Sequence, residues 1–212
     1  MKEPDIAFWK RRSDSSFKRK VGTRGEPRHL FLIVCEGEST EKNYFDGFRL
    51  PVAHIKDVFG IGDNTESLVR KAMKIKKDAA RCGIKYAQTW CVFDKDAFPA
   101  ENFNNAIVLA NREGILVAYS NAAFELWYLL HFDYIDTPID RKRYIQLLSD
   151  RMGEKYEKND PLMYEKLCSK QQNAIKNAKK LLAIHTPSSP AKNDPSTTVH
   201  LLVEELLKYI TK

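Results

Sequence analysis

Four short apolar runs separated by stretches of helical period constrain this chain more than any other feature. The runs lie at 29–35 (HLFLIVC), 52–59, 88–93 (QTWCVF) and 115–119 (ILVAY). The first, third and fourth are short, rich in branched and aromatic residues, and flanked by turn residues, as buried strands are; 52–59 is the weakest of the four. Between them, 39–48 places Tyr44, Phe45 and Phe48 on one helical face, with Ser39 or Thr40 available as a cap. After a turn at 60–64, Thr65 can cap a helix over 66–81, in which Leu68, Val69, Ala72, Ile75 and Ala79 approximate a 3.6-residue period. A further helix is predicted over 101–112, closed by Gly114. Strands alternating with helices of this length specify βαβ units. The expected fold class is therefore α/β, a three-layer αβα core around a mostly parallel sheet.

Beyond Ser120 the pattern turns helical. The segment NAAFELWYLLHF at 121–132 reads as one strongly apolar helix with Glu125 inside it. Helix signals dominate 139–183 and break at Asp160-Pro161, and the proline-rich 185–195 reads as a loop. A final amphipathic helix is predicted over 196–210, with Ser196 as its N-cap. The resulting division is a basic arm at 1–28, an α/β core at 29–120, and a helical extension at 121–212 that completes the same domain.

Composition narrows the class. With 212 residues, 43% hydrophobic and 30% charged, the chain suits one globular domain with a real core. No apolar run approaches the roughly 18–20 residues of a membrane helix, and the polar, basic N-terminus lacks the apolar stretch of a secretory signal. Cys35, Cys82, Cys91 and Cys168 form no CxxC pair, so they read as reduced thiols of a cytoplasmic protein and not as zinc ligands. The net charge of +7 is uneven. Residues 1–28 hold nine Lys/Arg against four acids, and the remainder holds 26 against 24. Lys10, Arg11, Arg12, Lys18, Arg19 and Lys20 are therefore candidate contacts to a nucleic-acid backbone. A solvated tail, or a docking segment anchored by Phe8, Trp9 and Phe17, would give the same composition.

Two strands end in acids. The run LFLIVC leads into Glu36-Gly37-Glu38, and QTWCVF leads into Asp94-Lys95-Asp96. In open parallel sheets ligands bind beyond the carboxyl ends of the strands. Glu36, Asp94 and Asp96 are thus expected at one rim, where mutual repulsion calls for a cation. Hard oxygen donors favour Mg²⁺ or Mn²⁺, which can activate water and neutralise charge on a phosphodiester. Glu38, Glu41, Lys95 and Lys42 could support this site; a helix N-terminal charge for Glu41 and charge compensation for Lys95 are the alternative readings.

Strand–EG followed by strand–DxD resembles the Toprim catalytic domain. The ordered set LIVCEGESTEKNYF, WCVFDKD, SNAAFELWYLLHF and NDPSTTVHLLVEEL is similar more specifically to the RloB family, over roughly residues 29–207. That resemblance implies a divalent-metal-dependent nuclease in antiviral defence, abortive infection of bacteria by phage, acting with an RloA-type ATPase. It further implies site roles for Glu125, in the third segment, and for Ser196 and His200, in the fourth. Glu36 becomes either a third metal ligand or a general acid/base. The chain departs from the wider Toprim pattern: Thr40 stands at the fifth position of the first motif, followed by Glu41, and Pro99 replaces the glycine after the second. Substrate is open between RNA, tRNA included, and DNA. Two other classes remain: a non-catalytic module that senses nucleic acid or a partner, and an enzyme for small phosphorylated molecules.

Overall fold

The computed structural model describes residues 29–36, 40–50, 52–57, 65–95, 99–185 and 188–210, with the side chains of 54–57 excepted. The predicted turn at 60–64, the basic arm, Gly37, Glu38, Ser39 and Asp96 lie outside these residues.

The expected three-layer αβα arrangement is observed. Strand β1 (Phe31–Cys35) leads to helix α1 (Thr40–Asp46) and strand β2 (Ala53–Asp57). Helix α2 (Thr65–Arg81), strand β3 (Gln88–Asp94), helix α3 (Ala100–Arg112) and strand β4 (Leu116–Asn121) follow. Then come α4 (Glu125–Leu129), α5 (Arg141–Met152), α6 (Met163–Leu167) and α7 (Gln171–Ala183). A two-residue strand β5 (Ser196–Thr197) and helix α8 (Val199–Leu207) end the described elements.

The sheet order is β2-β1-β3-β4-β5. The first four strands are parallel and β5 is antiparallel to β4. After β1 the chain steps outward to β2 and then returns past β1 to β3. Right-handed crossovers in opposite directions put their helices on opposite faces. Accordingly α1 packs on one face with Phe31, Ile33, Trp90 and Val92. Helices α2 and α3 pack on the other with Leu32, Val34, Cys91 and Phe93. The crevice between the ends of β1 and β3 is therefore the topological switch point of the sheet.

The helical extension is the second half of the first layer. Residues of α4, α5, α7 and α8 share one core with α1 and the sheet. Tyr44 sits at its centre, edge-on to Phe45, Phe48, Phe124 and Trp127. Its hydroxyl and the buried His131 both reach Gln171. His131 Nδ1 lies 2.9 Å from the Trp127 carbonyl and Nε2 lies 3.2 Å from Gln171 Oε1, and the neutral ring donates through one of these two nitrogens. Burial pushes this imidazole down to about 4, and it is neutral at physiological pH.

Two predicted boundaries are corrected. The expected helix at 121–132 is shorter, because Asn121 belongs to β4 and pairs with Ser196. Ser196 is not the cap of the last helix: it lies in β5, and α8 starts at Val199. Side chains complete this small ladder. Thr197 Oγ1 donates to the Tyr119 carbonyl at 2.9 Å, leaving Ser120 Oγ to donate to Thr197 Oγ1 at 3.1 Å. Asn121 Nδ2 donates to the carbonyls of Pro190 and Asn193, 3.1 Å each, which clamps the proline-rich loop onto the end of β4.

Candidate functional site: an acidic pocket at the sheet switch point

Register brings the two acid-terminated strands to the same rim. Cys35 pairs with Val92, and the Glu36 N–H continues the ladder to the Val92 carbonyl at 3.0 Å. Side chains alternate across a sheet, so the Glu36 side chain continues the Leu32–Val34 side. Its charge acts on Cys91, whose thiol is pushed up by burial first and by Glu36 second. Asp94 follows Trp90 and Val92 on the other side, beneath the helical layer. Glu36 and Asp94 thus flank the crevice from opposite faces of the sheet.

The acids that gather around Asp94 come from the helical layer. Asp94 Oδ2 accepts the Phe124 N–H at 2.9 Å, and Oδ1 is enclosed without a donor. Burial pushes its carboxyl well above the usual range, and the charges of Glu41 and Glu125 push in the same direction. The Phe124 N–H and Arg141 oppose them only partly. Glu41, on the first turn of α1, is 5% exposed, and its Oε2 also lacks a donor. Its carboxyl is raised chiefly by burial, with Glu125 adding to the effect and Lys158 and Arg141 opposing it. Glu125, first residue of α4, is 4% exposed and accepts from the Tyr156 hydroxyl at 3.3 Å. An acid at a helix start normally faces water and profits from the helix dipole. Here two such acids are turned inward.

Tyrosines surround the acidic cluster. Burial comes first in raising the hydroxyls of Tyr128, Tyr144 and Tyr156. Glu125 acts on all three, Glu41 on Tyr128 and Tyr156, and Asp94 on Tyr144. They therefore remain protonated and can only act as neutral hydrogen-bonding groups. Tyr144 is 1% exposed and its hydroxyl has no partner. The loop before α6 holds the rim from the far side: Thr40 Oγ1 donates to Asn159 Oδ1 at 2.5 Å, and Asn43 Nδ2 donates to the Asn159 carbonyl at 2.7 Å.

The remaining candidates lie elsewhere. Lys95 acts electrostatically on Asp194, whose own carboxyl is raised by burial. Lys42 pairs with Asp46 within α1. Ser196 is fully buried in β5. His200 is buried in α8 and pushed down to about 4 by that burial; the charges acting on it are those of Glu204 and Lys179, not of the rim acids. Among the described residues, no three Asp, Glu, His or Cys side chains stand in a geometry that closes on a metal ion. The donor chemistry nonetheless fits a hard divalent cation: carboxylates only, two of them with an enclosed, unsatisfied oxygen.

Sequence reasoning missed Tyr144, Tyr156 and Arg141. They reach the pocket from α5 and from the segment that follows it, and no motif or period marks them. Asn121 and Glu125 share a segment with the end of β4, which is a legible signal; the inward turn of Glu41 has none.

Among the described residues no helix is long and apolar enough to cross a membrane. No curated protein and no solved structure matches the chain. A family model described as RloB-like protein matches residues 31–206, from the first residue of β1 to within α8. The strand-end acids, the inward-turned Glu41 and Glu125, and the β4–β5 clamp all fall within that span, and the chain belongs to the RloB-like family.

Proposed function

We propose that this protein is a divalent-metal-dependent phosphodiesterase that cuts nucleic acid, and that it serves in defence against phage beside an ATPase partner. The observation that carries the reading is the cluster of Asp94, Glu41 and Glu125: enclosed carboxyl groups, two of them with an unpartnered oxygen, at the switch point where open α/β sheets bind ligands. A binder of phosphate gains nothing from buried negative charge; a site for a hard cation does.

In this reading Asp94 would hold Mg²⁺ or Mn²⁺ together with Asp96, the second acid of its motif, and Glu41 and Glu125 would add negative charge beside them. The metal would supply charge neutralisation at the phosphoryl oxygens and a more acidic bound water. Glu36, across the crevice, would take or return a proton in this reading.

The test is a parallel digestion of total tRNA, single-stranded DNA and plasmid by purified protein with Mg²⁺ or Mn²⁺, and with a chelator as control. Metal-dependent cleavage of at least one substrate, lost in Asp94→Asn, is the expected result. Cleavage that persists in that variant, or none with any substrate and metal, would overturn the catalytic reading and leave a non-catalytic module.

A further inference from the structure

We propose that the outward face of α2 is a docking surface for the phosphodiester backbone of a nucleic acid. Helix α2 buries Leu68, Val69, Ala72 and Ala79 against the sheet. On a 100° wheel, the direction opposite that buried stripe is occupied by Arg70, Lys74, Lys77 and Arg81, at spacings of four, three and four residues. All four are exposed. Their backbone positions span ~16 Å at 1.5 Å per residue.

These cations are not consumed by the fold. Arg70 and Arg81 each contact one acid of their own helix, Glu66 and Asp78, while remaining 67% and 68% exposed in their side chains. Exposed pairs of this kind are weak. Among the described residues, Lys74 and Lys77 have no acidic or aromatic partner. Helix α7 shows the contrast. It is also lysine-rich, but Lys179 pairs with Glu204 and Lys180 lies over the Tyr134 ring.

Folding also segregates charge that the sequence spreads thinly. Residues 65–85 carry seven Lys/Arg and two acids, so the remainder of 29–212 is net negative. The positive stripe stands on a body whose switch-point pocket is acidic. A line of cations on an otherwise acidic body complements a regularly charged polymer more closely than a small anion. A membrane surface fits less well: an interfacial helix inserts its apolar face, and that of α2 is already buried against the sheet. Helix α2 follows the carboxyl end of β2, so it begins on the rim that carries Glu36 and Asp94 and runs back along the sheet. A strand lying along it would be led toward the crevice.

The test uses the full chain in chelator, so that binding is read without cleavage. Labelled single-stranded RNA and duplex DNA are titrated across a salt series with wild type, Lys74→Gln/Lys77→Gln, and the α7 control Lys176→Gln/Lys180→Gln. Glutamine keeps helix propensity, and an unchanged melting temperature confirms the fold. The α2 variant is expected to weaken binding and to shrink the log–log salt slope by about 1.4–1.8, the value for two lost phosphate contacts. The α7 control should match wild type. An unchanged slope in the α2 variant, an equal loss in the α7 control, or no nucleic-acid binding by wild type would overturn the proposal. So would binding to phosphatidylserine vesicles that alone responds to the α2 substitutions. Because no metal is present, loss of this surface and loss of the proposed catalysis are read separately.

Discussion

Asp94 is the residue on which the electrostatics turn. Its carboxyl is raised by burial and by Glu41 and Glu125. A carboxyl raised on folding stabilises the protein while protonated, and that contribution is lost as pH rises through its folded value. As pH rises, Asp94 therefore works increasingly against the metal-free fold. Asp94→Asn is expected to raise the melting temperature of metal-free protein above pH 7, by about 2–4 °C for each kcal/mol of repulsion relieved. Differential scanning calorimetry in chelator checks this, and the gain should fade toward acid pH. His131 has the opposite sign. Its folded value, about 4, lies below the ordinary 6.5. Stability from its neutral form is present at neutral pH and declines as pH falls from about 6.5 toward 4. The His131 ring should accordingly remain neutral at pH 5.5 in an NMR titration, while an exposed histidine is protonated. Asp94 was legible in sequence because an apolar strand ending in an acid is a positional signal. Glu41 was ambiguous, since an acid on a first helical turn reads equally as a dipole partner; only packing against α4 shows that it faces inward.

At the scale of elements, close approaches hold the rim together. Helix α1 ends at Gly47, where an added Cβ would lie 2.4 Å from Tyr164 Cβ. That atom is the root of a side chain whose ring packs against Phe48, centroids 4.2 Å apart, and cannot swing away. Gly47→Ala is expected to destabilise the protein by about 1–3 kcal/mol, as overpacking does, read as a shift in urea midpoint. The β4–β5 clamp is a second such contact. Asn121→Ala removes both donors to the 190–193 carbonyls and should cost about 1–3 kcal/mol. It should also raise proteolytic nicking of the 185–195 loop. Strands β1, β3 and β4 and helices α2 and α3 were legible because period and length agreed over many residues. Strand β5 was not. Two residues have no period, and Ser196 before an apolar run satisfies the usual cap pattern. Its ladder to β4 is a contact between segments far apart in sequence, which no local pattern encodes.

At the scale of the whole molecule, the switch point of the sheet lies between an acidic pocket on one face and a basic helix on the other. The three-layer order followed from alternation of strands and helices. Helices α4, α5, α7 and α8 share one core with α1 and the sheet. Which acids meet could not be read from spacing, because Glu36 and Asp94 project to opposite sides of the sheet, and the partners of Asp94 arrive from α1 and α4. The most direct test of the metal assignment is calorimetric titration of Mn²⁺ into wild type and Asp94→Asn, with melting temperature followed in parallel. Saturable binding to wild type, a rise in its melting temperature, and loss of both in Asp94→Asn is the expected result. Equal binding to the two proteins, or no binding to wild type, would contradict it.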